Sequence, residues 1–311
     1  MPPPLPSIIQ GPAIVIFNGQ SYYFKGGIKR SVKRATFDVE SDAAGFSDRR
    51  LKSTMVEISG TPAGQLTTDA AFGKLFPYAV TDIGKSVFGN ADAPLVIHTK
   101  AGQTITYARA ALTKLPGLRL RPTDTLFGDI MFTCLGKSTV QPTAAGSFNA
   151  IAAAAFADTT FDGDTIKTAR YQAAWGAAPY DVMGSKAGFD IDIAMDLESI
   201  EVDDFGVVDM ILKSLVATAK FAPSNLSEDQ VNTLLATQDA DVVLPGQSLT
   251  KANRDLVISS DVFSATLYKA GPVDGDSTFT VGEHRHGDIT WVSRRSWTAG
   301  TANPLWLFDV L

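Results

Sequence analysis

Phe189-Asp190-Ile191-Asp192-Ile193-Ala194-Met195-Asp196-Leu197-Glu198 alternates apolar side chains with mostly acidic ones. A period of two predicts a strand with one buried face and one wet face. Aspartate is a poor strand former, and closely spaced carboxylates repel one another. A sequence that keeps them there either turns that face to open solvent or uses it as a negative surface. Downstream, Val202-Asp203-Asp204-Phe205-Gly206 reads as the tip of a long hairpin, with Val207 to Ala219 as the returning strand. Beyond Phe221-Ala222-Pro223, the segment Ser227-Glu228-Asp229-Gln230 has the spacing of a capping box and leads into Val231, Leu234 and Leu235, which predicts a helix.

The same order occurs upstream. Lys186-Ala187-Gly188-Phe189 has a counterpart in Lys25-Gly26-Gly27-Ile28, and Leu212-Lys213-Ser214 in Leu51-Lys52-Ser53. Pro223 matches Pro62, and Leu256-Val257-Ile258 matches Leu95-Val96-Ile97, every pair offset by 161 (213 − 52). Gly287-Asp288-Ile289 follows Gly128-Asp129-Ile130 at 159, a slip of two residues in one loop. Collinear matches over this length predict two tandem copies of one unit. The boundaries are an arm over 1–12, a first unit over 13–137, a linker over 138–173, a second unit over 174–295 and a C-terminal arm over 296–311. In the first unit the hairpin tip is Ser41-Asp42-Ala43-Ala44-Gly45, the return runs from Phe46 to Ser59, and Thr67 or Thr68 caps a helix over Asp69 to Phe76. Two further hairpins use Leu95–Ile97, Ile105–Tyr107 and Leu126–Phe132, and in the second unit Leu256–Ile258, Ala265–Tyr268 and Ile289–Val292. The expected fold is mainly β with short helices, sandwich- or barrel-forming, each unit holding two packed antiparallel sheets, one helix and a long hairpin. Ala150-Ile151-Ala152-Ala153-Ala154-Ala155-Phe156 predicts a short linker helix.

Composition narrows the function. The 311 residues are 45% hydrophobic with net charge −6, which fits a packed globular protein and speaks against a general nucleic-acid-binding surface. The one cysteine, Cys134, lies in an apolar run and allows neither an internal disulfide nor a Cys-based metal site. No stretch of about 18 apolar residues predicts a membrane span. Met-Pro-Pro-Pro-Leu-Pro lacks the pattern of a signal peptide and reads as a stiff extended arm, so synthesis in the cytosol is expected.

Catalytic motifs are weak. Ile83-Gly84-Lys85-Ser86 looks like the end of a phosphate-binding loop, yet Ala79 stands where that loop needs its first glycine. Glu283-His284-Arg285-His286 puts two imidazoles on one strand face. Zinc requires at least three protein ligands, and His98, the third histidine, is matched by Ser259 in the other unit. No Gly-x-Ser-x-Gly elbow occurs, and no carboxylate pair stands out for glycoside hydrolysis. What repeats is scaffold: glycines, prolines and apolar strand centres. These features predict no enzyme, no cofactor and no metal.

The order of features resembles bacteriophage tail tube proteins: a Gly-Pro-Ala opening strand, Lys-Gly-Gly, a long acidic-tipped hairpin, a helix, then hairpins ending in Gly-Asp-Ile. Phe189–Leu235 carries most of the likeness, with Lys25–Glu40 and Leu51–Phe76 in the same places upstream. The resemblance implies subunits whose inner sheets join into a barrel, in rings that stack head to tail as a tube. It implies the chain itself as partner, in a homotrimer with pseudo-sixfold symmetry because each chain holds two units. Tape-measure protein and transient DNA would occupy the lumen, and tail terminator and tail-tip proteins the ends. The location implied is the virion tail, assembled in the host cytoplasm without membrane insertion by this chain. Asp190, Asp192, Asp196 and Glu198 would face the lumen and repel phosphates. Asp42, Gly45, Asp203, Asp204 and Gly206 would sit at ring-stacking hairpin tips. The first unit departs from the acidic pattern with Lys29-Arg30-Ser31-Val32-Lys33-Arg34, which reads either as a mixed lumen or as a set of partners for acids on a neighbouring unit. The alternatives are another self-assembling tube or tail-tip adaptor ring, and a duplicated β-domain protein that binds or hydrolyses carbohydrate.

Overall fold

Antiparallel pairing organises almost every described element. The computed structural model describes residues 13–41, 45–63, 73–90, 92–121, 126–136, 149–154, 170–185, 187–202, 206–235, 254–280, 283–293, 297–298, 301–302 and 305–311. In the N-terminal half the strands are β1 (Ala13–Phe17), β2 (Gln20–Tyr22), β3 (Phe24–Ser41), β4 (Gly45–Pro62), β5 (Ala93–Thr99), β6 (Gln103–Lys114), β7 (Leu118–Leu120), β8 (Ile130–Leu135) and β9 (Asn149–Ala153). One sheet takes them in the order β2-β1-β5-β6-β8-β4-β3, with β9 beside β6. The C-terminal half comprises β10 (Gln172–Trp175), β11 (Phe189–Val202), β12 (Gly206–Phe221), β13 (Leu256–Ser259), β14 (Phe263–Leu267), β15 (Gly271–Thr280), β16 (Glu283–Val292), a small hairpin of β17 (Trp297–Thr298) and β18 (Thr301–Ala302), and β19 (Trp306–Val310). Here β10-β13-β14-β19 form one sheet and β15-β16-β12-β11-β7 another. The helices are α1 (Val87–Asn90) and α2 (Glu228–Leu235).

The two long hairpins pair their residues in the same way. Lys29 stands opposite Ser59 and Asp190 opposite Lys220, a shift of 161 on both strands. Both ladders slip after equivalent residues, Ala35 and Val39 in one, Asp196 and Ile200 in the other. The orders also correspond, β1-β5-β6-β8-β4-β3 against β10-β13-(β14, β15)-β16-β12-β11. The difference lies in β6, one continuous strand in the first half. Its counterpart is broken by the turn at Tyr268–Ala270 into β14 and β15, which separates the second half into two sheets.

Local chemistry explains the elements that position the edges. The period-two pattern of β11 is realised as read: Phe189, Ile191 and Ile193 are buried while Asp192, Asp196 and Glu198 are exposed. Helix α2 begins with a reciprocal capping box, the Ser227 amide donating to Gln230 Oε1 at 2.8 Å and the Gln230 amide to Ser227 Oγ at 3.3 Å. The first half of the helix expected over Asp69 to Phe76 lies outside the described residues, and in the described half Lys74 and Leu75 form a turn. The expected Ala-rich linker helix is corrected: Asn149–Ala153 forms β9, paired with Gln103–Tyr107 of β6. That stretch of β6 runs past the end of β8, and its free backbone groups outweigh the helical preference of alanine. The C-terminal Trp306–Val310 docks on this chain's own β14, with Phe308 against Phe263 and Phe76.

The core runs through both halves and includes Phe88, Phe132, Phe189, Phe221, Phe263 and Trp291. Burial pushes the Cys134 thiol from its ordinary 9.0 up to about 12 and also raises the Tyr22 and Tyr78 hydroxyls. The folded chain keeps these acids protonated, whereas the unfolded chain releases their protons near the ordinary values. Their stabilisation is therefore complete below the ordinary values and is lost as pH rises towards the raised ones. Urea midpoints are expected to fall as pH climbs from about 9 to about 11, and Cys134→Ala is expected to reduce that slope. A slope unchanged by the substitution would show that Cys134 plays no part in it.

Candidate functional site

The acidic strand does not carry free charge along its whole length. Asp190 is the most enclosed of the four carboxylates expected on the wet face. Arg121 Nη2 donates to both of its oxygens, at 3.0 and 2.8 Å, and Arg119 Nη1 approaches Oδ2 at 3.0 Å. Arg119 Nη2 also lies 3.8 Å from Asp192. Glu198 sits 3.4 Å from Lys213 across the hairpin, and Lys220 sits 3.4 Å from Asp288. Asp196 is exposed. Cations from β7 and β12 thus offset much of the negative potential that the strand alone would create. Sequence reading missed Arg119 and Arg121 because they stand far from Asp190 along the chain, and nothing local marks them.

These arginines mark a seam between the two halves. Strand β7 leaves the first sheet and pairs with the start of β11, Leu120 opposite Phe189, Arg119 opposite Asp190 and Leu118 opposite Ile191. On its other side the segment bonds to the residues that precede β8. The Arg119 amide donates to Leu126 O and the Gly128 amide to Gly117 O, both at 2.6 Å. The sheet that ends at β3 and the sheet of β7, β11, β12, β16 and β15 are thus linked through the Leu118–Phe127 bridge and the bonds beside it. Gly188 makes the close approach possible. Its φ is +88°, and a Cβ there would meet Leu120 O at 2.7 Å and Arg121 Cγ at 2.5 Å.

A second contact fastens the halves. Ile83-Gly84-Lys85-Ser86 forms a clasp on β12 rather than a phosphate cradle. The Gly84 amide donates to Leu212 O at 2.7 Å, and the Leu212 amide donates to Lys85 O at 3.1 Å. Ser86 Oγ donates to Asp209 Oδ2 at 2.5 Å and accepts the Gly89 amide at 2.6 Å, which caps α1. Arg109 Nη1 adds a bond to Val208 O at 3.0 Å. The glycine and the serine that suggested a nucleotide motif serve this junction.

Among the described residues, each of the two linked sheets ends in a strand paired on one side only, β3 in the first and β15 in the second. The edge at β3 is poorly covered compared with its counterpart: Val32 is 43% exposed, whereas Ile193, 161 residues later, is 5% exposed. Arg30 occupies the place of the buried Ile191, and its Nε donates to the buried Tyr107 hydroxyl at 2.6 Å. Further along β11, Ser199 to Val202 are exposed. Gly206 opens β12 at φ +69°, and Gly45 opens β4. Asp42, Asp203 and Asp204, expected at the tips, lie outside the described residues.

Among the described residues, no three His, Cys, Asp or Glu side chains gather as a metal site, and no helix is long and apolar enough to cross a membrane. His284 and His286 lie on β16 opposite Phe279 and Ser277. No protein-family model matches this chain, and no curated protein matches it.

Proposed function

We propose that the chain is a structural subunit of a bacteriophage tail tube, built as a tandem duplication and assembled into closed rings that stack head to tail. The observation that carries this reading is a pair of linked antiparallel sheets with different open edges among the described residues, β3 and β15. Exposed edges of this length invite pairing with another chain, and closure into a barrel removes them. Because the edges differ, their contact is heterologous, and such contacts form rings when the rotation closes. Matched pairing in the two long hairpins supports two equivalent units per chain. Three chains would then provide six units in a homotrimer of pseudo-sixfold symmetry.

In this reading the wet face of the hairpins lines the lumen. Asp192, Asp196 and Glu198 present its negative charge, and Asp190 is engaged by the two arginines. A lining with acids and bases in near balance holds DNA weakly, because strong retention requires many unpaired cations. Tape-measure protein and DNA pass along it, terminator and tip proteins bind the ends of the stack, and the product is the virion tail. The protein has no catalytic role. Negative-stain imaging of the purified chain is the test. Stacked rings with sixfold-like averages are expected. Single rings that never stack favour an adaptor ring, and compact monomers with glycan affinity favour a carbohydrate-binding protein.

A further inference from the structure

We propose that one copy's β15 docks on the next copy's β3 in a fixed register, Thr278 opposite Lys29, with Ser277 opposite Arg30 and Phe279 opposite Ile28. The inference deepens the tube reading and rests on it. The internal seam supplies the template. There β7 pairs with β11 through Arg119 opposite Asp190. β3 matches β11 at an offset of 161, so Ile28, Lys29 and Arg30 stand for Phe189, Asp190 and Ile191. Leu118 opposite Phe127 becomes Ser277 opposite His286, each 159 residues later, so Ser277 to Phe279 stand for Leu118 to Leu120. In the chain as described, the edge of β7 is occupied by β11, while the same edge of β15 is open.

Two independent features fit that occupant. Gly188 and Gly27 are counterparts, with φ of +88° and +96°. At Gly188 a Cβ would strike Leu120 and Arg121, whereas at Gly27 nothing lies within 4 Å. The space that β7 fills at the internal seam is empty at β3. Charge then selects the partner. At the internal seam the bases are on β7 and the acids on β11. At the open ends the polarity is reversed: Lys25, Lys29, Arg30, Lys33 and Arg34 lie on β3, and the exposed Asp274 lies on β15, opposite Lys33 in this register. A seam from β15 to β3 joins opposite charges. Pairing β7 with a neighbour's β3 would set base against base, and pairing β15 with β11 would set acid against acid. Reversed polarity therefore keeps the two kinds of unit alternating around the ring.

Cysteine pairs test the register. The variant K29C/T278C, oxidised after assembly, is expected to give copy-to-copy disulfides on a non-reducing gel, roughly tenfold more than K33C/T278C, whose partners are displaced along the ladder. R119C/D190C is expected to close within one chain and reports whether such a seam permits the bond. Rings or tubes that form without the 29–278 link, or that link K33C/T278C equally well, overturn the register and leave the tube reading standing. Failure of the wild-type chain to assemble at all overturns the tube reading and this inference with it.

Discussion

Trp291→Ala is expected to lower the stability of the chain by about 3–5 kcal/mol in urea unfolding, the range for deleting a fully buried large aromatic side chain. Trp291 is completely buried on β16, stacked on Phe221 at 6.0 Å and edge-on to Trp175 at 5.1 Å. It joins three strands, β10, β12 and β16, across the place where the second half splits into two sheets. The indole contributes volume and little polar binding, because its Nε1 makes no hydrogen bond. Trp291→Phe is therefore expected to cost only about 1–2 kcal/mol, a partial loss of packing. Trp175 offers the contrast, since its Nε1 donates to Ala270 O at 2.7 Å. Trp175→Phe leaves that buried carbonyl without its donor and is expected to cost more than Trp291→Phe. A reversed order of the two Phe variants would show that packing, and not the hydrogen bond, separates the two tryptophans.

How much was legible depended on whether the signal was local. The alternation in Phe189–Glu198 is a property of adjacent residues and gave the strand and its faces directly. So did the capping box at Ser227 and Gln230, which needs only a spacing of three. The repeated motifs aligned Lys29 with Asp190, and the hairpin ladders pair their residues at that same offset. Signals that depend on distant partners failed. Alanine content predicted a helix at 150–156, but the unpaired backbone of β6 drew Asn149–Ala153 into a sheet. Ala79 rules out Gly84-Lys85-Ser86 as a phosphate loop, but its actual partner, β12, lies far along the chain. The partition of the acidic face was also invisible. Asp190 and Asp196 occupy equivalent positions in the alternation, yet only the former meets Arg119 and Arg121. Asp190, Asp192 and Glu198 each sit within 4 Å of a cation, whichever surface that face meets.

Asp190→Lys and Asp196→Lys, identical changes on one strand face, are accordingly expected to differ sharply. At Asp190 the new ammonium would sit beside Arg119 and Arg121, whose nitrogens now lie 2.8–3.0 Å from the carboxylate. The change removes charge-assisted hydrogen bonds worth roughly 1.5–3 kcal/mol and adds repulsion in a partly enclosed site. A loss of about 3 kcal/mol is expected, together with opening of the β7–β11 seam, visible as faster amide exchange at Leu118 to Leu120. At the exposed Asp196 the effect is expected within about 0.5 kcal/mol, as for ordinary surface positions. Restoring opposite charge with Arg119→Glu and Arg121→Glu in the Asp190→Lys background should recover part of the loss, and that coupling can be measured by a double-mutant cycle. The pair also separates seam from lumen. Asp196→Lys should leave rings intact and strengthen DNA retention in them, more so at low salt. Asp190→Lys should weaken the subunit before any effect on DNA can be read. Equal stability of the two variants would mean that the arginine contacts contribute nothing to the seam.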